Sequence, residues 1–208
     1  MDTAFIFRPA LFLDRDGVIN VDKHYVHQRE DFEFNDGIFE LCRLAADRGM
    51  AIVVVTNQAG IGRGFYSEQQ FHDLTNWMCD QFAMHSVTID AVYFCPYHAE
   101  HGIGRYAVDS FDRKPNPGMI LRAQADLDLD LPRSILIGDK PSDIAAAKAA
   151  GVGLSVLLTS EFDAQMIPLP DICIPTLQAL NEYLATLGEP FKHTTDTRNK
   201  EATYQLQI

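Results

Sequence analysis

Asp14 and Asp16 stand two residues apart in Phe12-Leu-Asp-Arg-Asp-Gly17, after the apolar run Ala10–Leu13 and before a glycine that can turn the chain. At a strand end this places two carboxylates, or one carboxylate and one main-chain carbonyl, on a shared site for a hard cation, which takes oxygen donors. A calcium loop would continue with donors at alternate positions and a late Glu, whereas Val18 and Ile19 follow here. A second cluster, Thr56-Asn-Gln-Ala-Gly-Ile-Gly-Arg-Gly64, follows the β-branched run Ala51–Val55. Its hydroxyl, two amides and three glycines suit an anion, because side-chain donors and unshielded backbone N–H groups can approach closely. The third cluster is Ile137-Gly-Asp-Lys-Pro-Ser-Asp143. Asp139 can complete a cation site with Asp143 behind it, and Lys140 can reach an anion. Arg113 and Lys114 add two cations just before Pro115-Asn-Pro-Gly118.

These clusters need strand ends, and the chain supplies them. Strands are expected at Ala10–Leu13, Ala51–Val55, Ala91–Cys95, Ser134–Gly138, Leu154–Leu158 and Ile172–Ile174. Helical spacing runs from Ile38 to Arg48, closed by Gly49, and a Ser67/Gln70 capping box opens a helix with Phe71, Leu74, Met78 and Phe82 on one face. Further helices are expected over Met119–Leu127, over Pro141–Ala150 with Gly151 after it, and over Leu177–Leu187. Pro96–Pro117 is expected to be a long irregular loop. This alternation predicts an α/β fold: a Rossmann-like, mostly parallel sheet with helices on both faces and ligands beyond the carboxyl ends of its strands. Forty residues separate Asp16 from Thr56, mostly consumed by one helix and its loops. No large cap domain is therefore expected, and loops must grip the substrate.

Of the 208 residues, 47% are hydrophobic and 22% charged, which suffices for a core and excludes whole-chain disorder. Residues 1–187 are expected to form one domain, and the polar stretch Gly188–Ile208 an appended tail. Seventeen Lys+Arg against 29 Asp+Glu give a net charge of −12, which repels phosphate backbones at long range and argues against nucleic-acid or anionic-membrane partners. A pocket that is positive locally still admits a small phosphorylated metabolite. Cys42, Cys79, Cys95 and Cys173 form no C-x-x-C, and no signal peptide or membrane-length apolar run is present. The expectation is reduced thiols in a cytoplasmic protein, a monomer to which the tail offers a route to dimerisation.

The motifs together resemble the haloacid dehalogenase-type phosphohydrolases. More narrowly, Leu13-Asp-Arg-Asp-Gly-Val-Ile-Asn-Val-Asp22, Tyr25-Val-His27, Asp31-Phe-Glu-Phe34, Thr56–Gly64, Cys95-Pro, Arg113-Lys-Pro-x-Pro-Gly-Met119 and Gly138-Asp-Lys140 resemble the D-glycero-D-manno-heptose 1,7-bisphosphate 7-phosphatases. Histidinol-phosphate phosphatases are a sister group and the alternative activity. A catalytically silent binding module on the same fold is the alternative from another class. The resemblance implies Mg²⁺ held by Asp14, the Asp16 carbonyl and Asp139, with Asp14 as nucleophile and Asp16 as general acid and base. It assigns Thr56, Asn57 and Lys114 to the phosphoryl oxygens. Substrate contacts fall to Asp22, Lys23, His24 and Tyr25, to Gln58 and Ala59, and to Arg113 and Lys140. The family usually carries a structural zinc on Cys-x-His and a later Cys-x-Cys. Here Cys95 is kept, but Tyr97 and Ser110-Phe-Asp112 fill the other positions. The loop is therefore expected to be zinc-free and held by packing of Tyr97, Tyr106 and Phe111.

Overall fold

The computed structural model describes residues 7–161 and 165–186. Six strands form one sheet: β1 (Ala10–Leu13), β2 (Ala51–Asn57), β3 (Ala91–Cys95), β4 (Ile135–Gly138), β5 (Leu154–Leu158) and β6 (Ile172–Ile174). Their order is β3-β2-β1-β4-β5-β6, and every pairing is parallel. The expected α/β architecture is therefore present. The chain order reverses between β1 and its neighbours, and the active-site strand lies in the middle. A parallel sheet covered on both faces requires strands that are apolar throughout, which is why β1, β4 and most of β2 are buried without alternation.

Alternate residues of each strand feed two cores. Leu11, Leu13, Ile52, Val54, Ile135 and Ile137 pack with α1 (Ile38–Asp47), α3 (Glu68–Met84) and α6 (Leu177–Thr186). Phe12, Val53, Val55 and Leu136 face the opposite way, toward α4 (Gly118–Leu127) and α5 (Pro141–Ala150). Truncating one such side chain, for example Leu13 at 0% exposure, costs about 2–5 kcal/mol through lost transfer energy and the cavity left behind. The Ser67/Gln70 capping box is formed, and Gly151 closes α5 in the left-handed region.

Two differences from the sequence expectation bear on the site. First, β2 runs two residues further than its β-branched core, because Thr56 and Asn57 pair with Phe94 and Cys95 of β3. The hydroxyl and first amide of the second cluster are thus strand residues held in register. Second, the glycine-containing stretch after them forms a short helix, α2 (Ala59–Gly62). Between Asp16 and Thr56 the chain forms only a 3₁₀ turn (Arg29–Asp31), α1 and part of β2. The loop after β3 holds only the 3₁₀ turn Gly104–Tyr106. Neither insertion builds a cap. The domain's expected end at Leu187 and the Gly188–Ile208 tail lie outside the described residues. Among those residues, no helix is long and apolar enough to cross a membrane.

Candidate active site

Asp14 follows β1 directly, and its backbone N–H still donates to Ile137 O of β4 at 3.0 Å, so this carboxylate is anchored by the sheet itself. Its Oδ1 accepts the Arg15 N–H at 2.7 Å and lies 3.0 Å from Lys114 Nζ. Both contacts fall on one oxygen, Oδ1. Lys114 is 3% exposed, and its ammonium also meets Asp143 Oδ1 at 2.6 Å and donates to Val55 O at 2.8 Å. A buried cation needs such partners. Burial alone would lower the Lys114 pKa, but the Asp14 and Asp143 carboxylates reverse this and hold it above its usual value.

Carboxylate oxygens of Asp14, Asp139 and Asp143 lie within 4.8 Å of one another. Asp143, expected behind the cation, therefore joins the acidic cluster directly. Burial, opposed by Lys114 and reinforced by Asp143, Asp139 and Asp16, pushes Asp14 up to about 7. Burial likewise raises Asp139 to about 6. Asp139 Oδ1 is buried without a hydrogen-bond partner among the described residues. An orphaned carboxylate oxygen within a repelling cluster is what a hard divalent cation would relieve, so the donor set fits Mg²⁺. Gly17 makes the cluster possible: its φ is +97°, and a Cβ there would collide with the Asp139 carboxylate.

Asp16 turns its carboxylate the other way. Arg15, whose side chain is only 2% exposed, donates Nη2 to both Asp16 oxygens at 2.9 and 2.8 Å and also to Val26 O at 2.6 Å. Asn20 Nδ2 and Gln58 Nε2 add bonds of 3.1 and 2.9 Å. Four donors thus hold the Asp16 carboxylate in place, while its main-chain carbonyl is the expected metal donor. Arg15 escaped the sequence reading because a charged residue between two aspartates looks like a solvated one.

The expected substrate residues divide into three groups. Asn57 clasps Lys114: its Oδ1 accepts the Lys114 N–H at 3.1 Å and its Nδ2 donates to Lys114 O at 3.0 Å. That two-point clasp fixes the lysine's backbone. Gln58 is 1% exposed and bonded at both ends of its amide, to Thr56 Oγ1 at 2.9 Å, to Asp16, and to the Tyr66 hydroxyl at 2.5 Å. Lys23 pairs with Glu33 at 2.9 Å. Asp22, Tyr25, Arg113 and Lys140 remain near the site's rim. Lys140 Nζ meets Asp22 at 3.1 Å and Asp139 at 3.5 Å, and so ties the Asp22 loop to the acidic cluster. His24 is exposed, with its N–H on Asp22 Oδ1 at 2.9 Å. Tyr25 packs edge-on against Phe65, and its hydroxyl accepts from Arg63 at 2.7 Å. Ala59 opens α2. Arg113 donates to Tyr97 O at 3.2 Å and lines a cleft of about 250 Å³ with His98, Glu100, Asp109, Pro115 and Asn116.

A HAD-hydrolase-like family model matches residues 111–180. The D-glycero-alpha-D-manno-heptose-1,7-bisphosphate 7-phosphatase of Burkholderia mallei is 62% identical over 149 residues, 72% of this chain and 79% of its own length. The D-glycero-beta-D-manno-heptose-1,7-bisphosphate 7-phosphatase of Vibrio cholerae is 51% identical over 151 residues, 73% of this chain and 81% of its own. The chain belongs to this family of HAD-like phosphatases. Among solved structures, a HAD-like phosphatase from Mesorhizobium loti shares 36% identity with a TM-score of 0.78, covering 86% of this chain and 85% of its own. The D,D-heptose 1,7-bisphosphate phosphatase of B. bronchiseptica, complexed with magnesium and phosphate, shares 25% identity with a TM-score of 0.73, covering 85% and 98%.

The zinc that family resemblance implies does not fit this chain's loop. Cys95 is buried, which pushes its thiol up, and it is hydrogen-bonded to the Tyr97 backbone and to Ser110. Tyr97, Ser110 and Asp112 at the other ligand positions offer neither thiolate nor imidazole. The Asp112 carboxylate pairs with Arg122 at 2.9 Å, and His98 Nδ1 accepts backbone N–H groups of Glu100 and His101, each at 3.3 Å. Ser110 acts as a hub: its hydroxyl accepts the Asp112 N–H at 3.2 Å and its carbonyl accepts Asn116 Nδ2 at 3.1 Å. Tyr97 and Tyr106 pack at 6.0 Å as expected, but Phe111 is 61% exposed and contributes no packing of that kind. Its backbone does the work, because its carbonyl caps Gly118 N at 3.1 Å.

Proposed function

We propose that the protein is a Mg²⁺-dependent phosphatase removing the 7-phosphate of D-glycero-D-manno-heptose 1,7-bisphosphate. The observation that carries the reaction is Asp14, anchored by the sheet, paired at Oδ1 with Lys114 and clustered with Asp139 and Asp143. Asp14 attacks phosphorus, the bond to the sugar oxygen breaks, and an aspartyl-phosphate forms. Asp16, protonated, gives its proton to the departing oxygen. It then takes a proton from the water that attacks the aspartyl-phosphate, releasing phosphate and restoring Asp14. Thr56 donates to a phosphoryl oxygen, and Lys114, whose three hydrogens meet Asp14, Asp143 and Val55 O, supplies fixed positive charge beside the transferring group. Asp14, Asp139 and the Asp16 carbonyl would hold Mg²⁺, with Asp143 alongside; when bound, the ion neutralises phosphate charge that would otherwise repel a carboxylate nucleophile.

The substrate's sugar and second phosphate fall to the rim: the Asp22–Tyr25 loop, Ala59, Arg113 and Lys140. Asn57 and Gln58 serve as internal supports. Identity to the alpha-named Burkholderia relative exceeds that to the beta-named Vibrio one, which supports a preference for the alpha anomer. The Cys95–Asp112 loop works without zinc, and four free cysteines suit a reducing cytoplasm.

Phosphate release should be measured with Mg²⁺ on both heptose 1,7-bisphosphate anomers, histidinol phosphate, fructose 1,6-bisphosphate and a 3′-phosphorylated oligonucleotide. Preference for a heptose anomer is expected, and Asp14→Asn should abolish it. Preference for histidinol phosphate would replace the substrate and keep the chemistry. Silence toward the whole panel would point to a binding module.

A further inference from the structure

Gln58 looks from sequence like a substrate donor, yet its amide has no free end. Nε2 donates to Asp16 Oδ2 and to Thr56 Oγ1, each at 2.9 Å, and Oε1 accepts the Tyr66 hydroxyl at 2.5 Å. Only one amide orientation satisfies this set. Rotated by half a turn, Oε1 would face the Asp16 oxygens, which already accept from Arg15 and Asn20, and the Tyr66 hydroxyl hydrogen would lose its acceptor. Tyr66 is the residue that holds the orientation. It is 5% exposed, its ring stacks on His27 with centroids 5.0 Å apart, and it fills the space over Gly60, where a Cβ would collide with it. Burial keeps its phenol protonated well beyond the ordinary tyrosine range, so it remains a donor.

Two consequences follow for the reacting groups. Since Thr56 Oγ1 accepts from Gln58, its own hydrogen is left to point at another acceptor, as a phosphoryl oxygen requires. Since Asp16 Oδ2 is held by Nε2, the carboxyl that must reach the leaving oxygen has one edge tethered to β2. We infer that Tyr66 and Gln58 form a positioning relay, Tyr66 to Gln58 and Gln58 to Asp16 and Thr56, that sets the proton donor and the hydroxyl for phosphoryl transfer. The relay rests on the phosphatase function proposed above. Neither residue touches the substrate.

The test uses the full-length chain with Mg²⁺ and two substrates, heptose 1,7-bisphosphate and p-nitrophenyl phosphate. The aryl oxide leaves without a proton, whereas the sugar alkoxide needs one, so a displaced Asp16 harms only the sugar ester severely. Tyr66→Phe and Gln58→Leu are each expected to lower kcat on the sugar phosphate by about tenfold or more, with KM changed less than about threefold. The loss on p-nitrophenyl phosphate should be several times smaller. Because Tyr66 acts through Gln58, the double variant should be no slower than Gln58→Leu alone. Where Tyr66→Phe does not fold, as read by circular dichroism, the comparison of leaving groups in Gln58→Leu decides. Unchanged kcat in the variants, equal proportional losses on both substrates, or multiplicative losses in the double variant would overturn the relay while wild-type turnover stands. A wild type silent on both substrates would instead overturn the phosphatase function, and the relay with it.

Discussion

Asp14→Asn should inactivate the protein and yet stabilise its metal-free form above neutral pH. Burial, opposed by Lys114 and reinforced by three neighbouring carboxylates, pushes Asp14 from its ordinary 3.8 up to about 7. A folded-state pKa above the unfolded one means that the folded chain holds the proton more tightly. Stability from this group is therefore complete below about pH 4 and is lost as pH rises through 7. At about 1.4 kcal/mol per unit, the Asp14 carboxyl costs the metal-free fold on the order of 4 kcal/mol at pH 8 and less than about half of that at pH 5. Asparagine carries no such cost, and its Oδ1 can still accept the Arg15 N–H. Lys114 would lose the Asp14 contact at 3.0 Å but keep Asp143 at 2.6 Å and Val55 O at 2.8 Å. Because the rise to about 7 already includes the Lys114 attraction, that contact is not subtracted a second time, and the net stabilisation is up to about 4 kcal/mol at pH 8 and shrinks toward pH 5. Asp139, raised by burial to about 6, loses the repulsion of Asp14 in the variant, which adds to the gap in the same direction. Urea denaturation in EDTA at pH 5, 6.5 and 8 measures the gap. Repeating it with Mg²⁺ at a hundred times its dissociation constant should raise wild-type stability by about 2.7 kcal/mol and the variant's by less. An asparagine variant no more stable than wild type at pH 8 in EDTA, or a gap that fails to narrow toward pH 5, would refute the claim that the acidic cluster is strained without its cation.

Protein purified without added metal should carry well under one zinc per chain by elemental analysis, and chelation followed by Mg²⁺ should restore full activity; near-stoichiometric zinc would show that the loop rearranges around Cys95 and its histidines. Gly17→Ala should weaken Mg²⁺ binding by about tenfold or more in calorimetric titration, because its Cβ displaces the Asp139 carboxylate from a position with φ +97°. Unchanged affinity would remove Asp139 from the ligand set.

Most of the fold and the charged half of the site were legible in the sequence, and the reason is physical. A buried, doubly covered parallel sheet demands apolar runs such as Ala51–Val55, and a run of that kind has few other uses. Asp14 and Asp139 were legible because a charge at the carboxyl end of such a strand must be paired or bind something, and Lys114 because it stands in the Arg113-Lys-Pro motif before α4. The neutral polar residues were not. Asn57 and Gln58 each carry a donor and an acceptor, so residue type alone does not say whether the amide faces an anion or another part of the chain. That is settled by partners far away in sequence: Lys114, 57 positions on, for Asn57, and Asp16, 42 positions back, for Gln58. Tyr66 was invisible for the same reason, since nothing local marks its hydroxyl as the atom that orients Gln58. Phe111 failed in the opposite sense: an aromatic in a loop suggests packing, but here the chain needs its carbonyl to cap α4 and leaves the ring in solvent. In this site, then, the groups that react are chosen by charge and the groups that aim them are chosen by hydrogen-bond directionality. The first can be read from residue type and strand end. The second requires the register that brings Thr56 and Asn57 onto β2, where their side chains meet Gln58 and Lys114.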